Sequence, residues 1–107
     1  FTLVHQFCRI GDHSITGIGT VCLKDVPPYI VASGNTAIPH GINVRGLRTR
    51  GFTESNIQDL RQAYRFLYRN GLTQTEALAE LDGNAQSTPE IANLAEFIRN
   101  SRRGIIR

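Results

Sequence analysis

FTLVHQFCRIGDHSITGIGTVCLKDV, residues 1–26, decides how the fold is read, because its apolar and small residues return every six positions. Val4, Ile10, Thr16 and Cys22 share one position of the repeat. Gly11 and Gly17 follow two of them, and Cys8, Ser14 and Thr20 stand two places before the next. A period of six suits neither an amphipathic helix nor a plain half-buried strand. It predicts short flat strands wound round a triangular solenoid, one per face, with a tight turn at each corner. A few such strands cannot bury their apolar sides alone, so the repeat should stack on further coils.

Downstream the rhythm changes. Pro27 and Pro28 interrupt the repeat, since each fixes its backbone angle and lacks an amide donor. Residues 29–33 (YIVAS) can form one more short strand, and Gly34-Asn35 is a turn signal. Residues 34–51 hold four glycines and one proline, which predicts a long ordered loop with short extended pieces. A first helix is predicted over 54–69, capped by Thr53, with Ile57, Leu60, Tyr64, Leu67 and Tyr68 as its buried stripe. Gly71 stops it. Thr73 and Glu76 have the spacing of a capping box for a second helix carrying Ala77, Leu78 and Leu81, which Asp82-Gly83 should end. Ser87-Thr88-Pro89-Glu90 opens a third, with either hydroxyl able to cap and Ile91, Leu94, Ala95 and Ile98 facing inward. The basic tail from Asn100 is expected to fray until Ile105 and Ile106, which could dock on the helices or on a neighbour.

At 107 residues, 40% hydrophobic and 20% charged, the composition is that of an ordinary globular chain with room for one modest domain or two small ones. No apolar run reaches the ~18 residues of a membrane span, and the start lacks the features of a signal peptide. A chain that opens on Phe and contains no Met reads as a piece of a longer protein. Cys8 and Cys22 fit neither a disulfide framework nor a metal-ligand spacing, and read as buried free thiols suited to a reducing cytoplasm. The helical stripes make only a small core, so packing against more solenoid or a second subunit is expected.

Charge is placed unevenly. Eleven of the twelve basic residues are Arg, and all but Arg9 cluster at 45–50, along 61–69 at helical spacing, and at the end. Arg is favoured where planar anions are gripped through several donors, although a solvated basic face reads the same way. The sequence has no carboxylate pair, no nucleotide-binding Gly-rich strand–helix motif and no Cys/His metal cluster. His5, His13 and His40 are the groups whose unperturbed pKa lies near neutrality. Adjacent His5 and Gln6 point to opposite faces of a strand, so at least one should face outward, either for acid–base or substrate contact or as a plain hydrogen-bonding surface pair. His13, beside Asp12, reads as structural or exposed, and His40 has no evident partner. Asn43 with Arg45, Arg48 and Arg50 suits a polyanionic ligand, or else fixes the loop and supplies surface charge. Ile18, between Gly17 and Gly19, is either a core residue or the wall of a narrow apolar slot.

VHQFCRIGDH, KDVPPYIVASGN, PHGINVRGLRTRGF and RRGIIR together resemble one family, the UDP-N-acetylglucosamine acyltransferases that open bacterial lipid A synthesis. The resemblance is to the C-terminal part of its members and covers essentially the whole chain. It implies a left-handed parallel β-helix of hexapeptide coils followed by a small all-α C-terminal domain. The final coils and a ligand-contacting loop would occupy 1–52 and the helices 53–107. It further implies a cytoplasmic homotrimer with active sites in clefts between subunits. Such enzymes move a 3-hydroxyacyl group from acyl carrier protein to the 3-hydroxyl of UDP-N-acetylglucosamine without a cofactor or metal.

By the same resemblance, the general base belongs on an earlier coil, upstream of Phe1, and none of the three histidines here matches it. His5 and Gln6 match a pair near the reacting groups, Asn43 a nucleotide contact, and Arg50 a phosphate or donor contact. Arg45 stands where well-known members carry Glu, and Thr49 where they carry a basic residue, which Arg48 could replace. Ile18 occupies the acyl-chain ruler, where a bulky side chain implies shorter chains than Gly would. The alternative is a non-catalytic module whose arginines hold an acidic partner, either acyl carrier protein or RNA. RNA is disfavoured because no loop aromatics are interleaved with the arginines for stacking.

Overall fold

The computed structural model describes residues 1–84 and 88–107. Five short strands come first: β1 (Thr2–Val4), β2 (Ile15–Thr16), β3 (Thr20–Cys22), β4 (Ile30–Ser33) and β5 (Ile38–Ile42). Four helices follow: α1 (Val44–Thr49), α2 (Glu54–Tyr68), α3 (Gln74–Asn84) and α4 (Pro89–Arg99). Among the described residues no helix is long and apolar enough to cross a membrane.

The strands overturn the left-handed parallel β-helix expected from the six-residue repeat and the family resemblance. They form two small sheets, β1-β3 and β2-β4-β5, and neither curls or closes into a hexapeptide solenoid. The reason lies in the register. Thr2 pairs in parallel with Thr20, three six-residue periods along, but Ile15 pairs with Val31, a shorter step. That step spans Pro27 and Pro28, and the isolated parallel bridge of Ile10 to Val26, just before them, is short by the same amount. After Gly34, at φ +105°, the chain turns back, and β5 runs antiparallel to β4. The second sheet is mixed for that reason.

The helical half forms where periodicity and caps place it. Thr53 Oγ1 accepts from the amide of Asn56 at 3.1 Å and starts α2, whose Ile57, Leu60, Tyr64 and Leu67 are buried. Tyr68 is half-buried and donates its hydroxyl to the Ile106 carbonyl at 2.8 Å. The capping box at α3 is reciprocal: Glu76 Oε1 accepts from the Thr73 amide at 2.9 Å, and Thr73 Oγ1 accepts from the Glu76 amide at 3.2 Å. Helix α3 runs past Asp82-Gly83 to Asn84. Ser87 lies outside the described residues. Thr88 is the N-cap of α4, but its hydroxyl makes no capping bond; it donates to Asp59 Oδ2 at 2.9 Å and so ties α4 to α2.

One apolar cluster joins Tyr29, Ile30 and Leu47 to the inward faces of α2, α3 and α4. A smaller one gathers Cys22, Val26, Ala32, Ala37 and Ile106 between the sheets and the tail. The tail is docked rather than frayed, with Ile105 and Ile106 each 2% exposed. Asp25, 1% exposed, holds it: Oδ1 accepts from the Arg9 amide at 2.7 Å and Oδ2 from the Ser101 hydroxyl at 2.6 Å. The Asp25 backbone also bonds the tail, donating to the Gly104 carbonyl and accepting from the Ile106 amide.

Candidate functional site

Residues 34–51, read as a loop with short extended pieces, contain one such piece, β5, and also the six-residue helix α1, which the reading did not include. Asn43 starts that helix. Its Oδ1 accepts from the amide of Gly46 at 3.2 Å, and its Nδ2 donates to the carbonyl of His13 at 3.0 Å. Gly46 gives the Asn43 side-chain amide room, since a Cβ at that position would displace it. The spacing Asn43-x-x-Gly46 was the available sign of an N-cap. The three other glycines of the segment and Pro39 masked it.

An open cleft of about 470 Å³ lies between the turn before β2 and α1, lined by Asp12, His13, Ser14, Asn43, Gly46 and Arg50. The turn is rigidly built. His13 sits at φ +59° and Tyr29 at φ +72°, a region that L side chains seldom occupy. The Tyr29 amide donates to the Asp12 carbonyl at 2.9 Å, and the Asn43 amide donates to the Tyr29 carbonyl at 2.8 Å. The imidazole of His13 lies nearly parallel to the Tyr29 ring at 6.0 Å and meets Phe52 edge-on at 5.1 Å. Tyr29 is itself anchored by Asn93 of α4, whose Nδ2 donates to its hydroxyl at 2.9 Å. Burial pushes that phenol's pKa up, against the opposing effect of the Asn93 bond.

The other candidate residues are dispersed. Arg50 caps the end of α1, donating its amide to the Gly46 and Leu47 carbonyls, and its side chain is exposed at the cleft. Arg48 is engaged elsewhere: Nε and Nη2 clasp both carboxylate oxygens of Glu54, at 2.7 and 3.1 Å. That pairing raises the Arg48 pKa and lowers that of Glu54. Arg45 is exposed, and its carbonyl accepts from the Thr49 hydroxyl at 3.0 Å. His5 and Gln6 are exposed beyond β1, with His5 Nδ1 3.0 Å from the Gln6 carbonyl oxygen. Neither lines the cleft. Ile18 stands 94% exposed on the turn between β2 and β3, so its core reading is wrong. His40 lines a separate cleft of about 370 Å³ with Arg61, Arg65 and Arg69.

Cys22 is buried and Cys8 half-buried; both are free thiols whose pKa burial pushes up. Among the described residues no group of three His, Cys, Asp or Glu side chains could hold a metal ion. The cleft can therefore offer an anion the Arg50 guanidinium and the His13 ring, and a hydroxyl the Asp12 carboxylate.

Comparison with known proteins decides what kind of chain carries this cleft. The family model described as Udp N-acetylglucosamine O-acyltransferase, domain 2, matches residues 25–106. The chain belongs to the UDP-N-acetylglucosamine O-acyltransferase family. Among this family's members, the acyl-[acyl-carrier-protein]--UDP-N-acetylglucosamine O-acyltransferase of Thiobacillus denitrificans is 48% identical over the whole chain, which spans 42% of that relative. The enzyme of the same name from Pseudomonas syringae pv. syringae is 50% identical over the same span, again 42% of its length. The Francisella novicida UDP-N-acetylglucosamine acyltransferase superposes with a TM-score of 0.95 at 38% identity, covering 99% of this chain and 39% of that one. The Bacteroides fragilis family member gives 0.94 at 43%, with 99% and 42% coverage.

Proposed function

We propose that this chain is the carboxy-terminal share of an enzyme that moves a 3-hydroxyacyl group from acyl carrier protein to the 3-hydroxyl of UDP-N-acetylglucosamine, opening lipid A synthesis. The observation that carries the reading is family membership over most of the chain, joined to a cleft lined by exposed Arg50, which among the described residues has no carboxylate within salt-bridge distance. Asn43 and Arg50 form the wall that receives the nucleotide, with exposed Arg45 beside them. Arg48 holds Glu54 and so fixes the start of α2 against α1. His5 and Gln6 belong to the acyl-transfer side, and Ile18 limits the acyl chain. The general base comes from outside this chain, on the segment preceding Phe1. Holding hydroxyl and thioester together with a base supplies most of the acceleration. The working form is a homotrimer with no cofactor.

A second reading has its own support. Arg61, Arg65 and Arg69 repeat along one face of α2 beside His40, and among the described residues none of the three has a carboxylate within salt-bridge distance. Such a face suits an acidic partner, and acyl carrier protein fits both readings. The deciding experiment offers the intact protein hydroxyacyl-carrier protein and UDP-N-acetylglucosamine and follows the acylated nucleotide sugar by mass spectrometry. Product is expected, with longer donors gaining ground in Ile18→Gly. Binding of the carrier protein without turnover would favour the non-catalytic module.

A further inference from the structure

We propose that His13 is a ligand-contacting residue of the α1 cleft and that Asn43 serves it as a positioning residue. This rests on reading that cleft as the nucleotide-sugar site. Neither the repeat nor the family resemblance gives His13 a role. The geometry does.

The side chains lining the cleft differ in what they have left to offer. Ser14 has turned its hydroxyl to the Gly11 carbonyl, 2.6 Å away. Asn43 has one end of its amide on the Gly46 N–H and the other on the His13 carbonyl, so its strongest hydrogen bonds are already spent inside the chain. Gly46 contributes only space. Asp12 repels an anion and suits a sugar hydroxyl. Arg50 and His13 remain. Among the described residues no ring nitrogen of His13 is hydrogen-bonded within the chain, and the ring is exposed at the cleft.

His13 is also held in a way that a surface histidine does not require. Its backbone stands at φ +59°, and strain of this kind persists only where the surroundings over-determine it. Three contacts do so: the Asn43 amide on its carbonyl, the parallel Tyr29 ring and the Phe52 edge. The result is an imidazole fixed in orientation at the mouth of a polar cleft, opposite the end of α1 that carries Arg50. A fixed donor beside a guanidinium suits a diphosphate, whose oxygens take several charged hydrogen bonds at once.

The test uses the intact protein, with UDP-N-acetylglucosamine as ligand. His13→Gly removes the ring while suiting the left-handed backbone, so the fold should not suffer. KM for the nucleotide sugar should rise roughly ten-fold, the worth of a hydrogen bond to a charged group, with the loss in KM rather than kcat. Asn43→Asp keeps the acceptor for Gly46 and loses the donor to His13, and should raise KM similarly. In the His13→Gly background Asn43→Asp should add less than two-fold, because what it positions is gone. An unchanged KM in His13→Gly would overturn the contact. Fully additive losses would overturn the positioning role and make Asn43 a contact in its own right. If the unaltered protein neither bound nor acylated the nucleotide sugar, the reading of the cleft itself would fall.

Discussion

Apolar side chains meet opposite fates in the two halves of this chain. In the helical half Ile57, Leu60, Leu94 and Ile98 are at most 1% exposed, because three helices turn their stripes toward one another and toward Ile30 and Leu47. In the strand half Leu3, Phe7 and Ile18 are 66%, 78% and 94% exposed. Two sheets of two and three short strands have too little facing surface to cover them. Order in that half comes from the small cluster around Val26 and Ala32, from backbone bonds, and from polar pins such as Asp25, Thr20 on Gly17 and Ser14 on Gly11. The lesson is that hydrophobicity fixes burial only where a partner surface exists.

The largest expected effect breaks the comparison if it fails. Leu60→Ala should cost about 3 kcal/mol by urea denaturation, since a fully buried leucine leaves a cavity in a shared core. Leu3→Ala should stay within ~0.5 kcal/mol, as exposed substitutions usually do. Equal costs would mean that the strand half carries its stability in side-chain packing after all.

Next in size is the pin between the halves. Asp25→Ala leaves the Arg9 amide and the Ser101 hydroxyl without their acceptor at a buried site, and should cost about 2–3 kcal/mol. Asp25→Asn retains one acceptor oxygen and should cost less. Amide exchange at Ile106, which bonds the Asp25 carbonyl, should quicken in Asp25→Ala before exchange in α2 does. Simultaneous loss would show that tail and helices open as one unit.

The same contrast explains what could be read from the sequence. Helices α2, α3 and α4 announce themselves through their stripes, Thr53, the Thr73–Glu76 box and Pro89, all local signals that tertiary packing had no reason to override. The strands are different. A six-residue rhythm constrains the distance between like positions but not the pairing, and a step shortened between β2 and β4 is invisible in composition. Closure of a solenoid is a long-range property, and the period alone overstated it. In the cleft, Asn43 and Arg50 stood out by type, whereas His13 could not. Its claim rests on Tyr29 and Phe52, 16 and 39 positions away, and on a backbone angle that no residue type declares. Asp25 was missed for a similar reason: an Asp before a proline pair signals a turn, and its burial depends on Ser101 at the far end of the chain.

The smallest effects sharpen the comparison on the pH axis, through two exposed carboxylates of the helical half and two thiols of the strand half. Glu76 is held below its ordinary value of 4.5 by the Thr73 amide and hydroxyl, and Glu54 below the same value by Arg48. A depressed carboxylate stabilises the fold fully above the unfolded value and loses that contribution as pH falls through the folded one. Both groups are exposed, so the acid limb should be shallow, and flatter still in Glu76→Gln. In the strand half burial raises the Cys22 and Cys8 thiols above 9.0. There the sign reverses: the contribution is whole below pH 9 and declines as pH rises, because the unfolded chain ionises its thiols first. Cys22→Ser should therefore blunt the alkaline limb and leave the acid limb alone, while Glu76→Gln does the converse. If either substitution moved both limbs, the division of this chain into a self-covered helical half and a pinned strand half would not hold in its electrostatics.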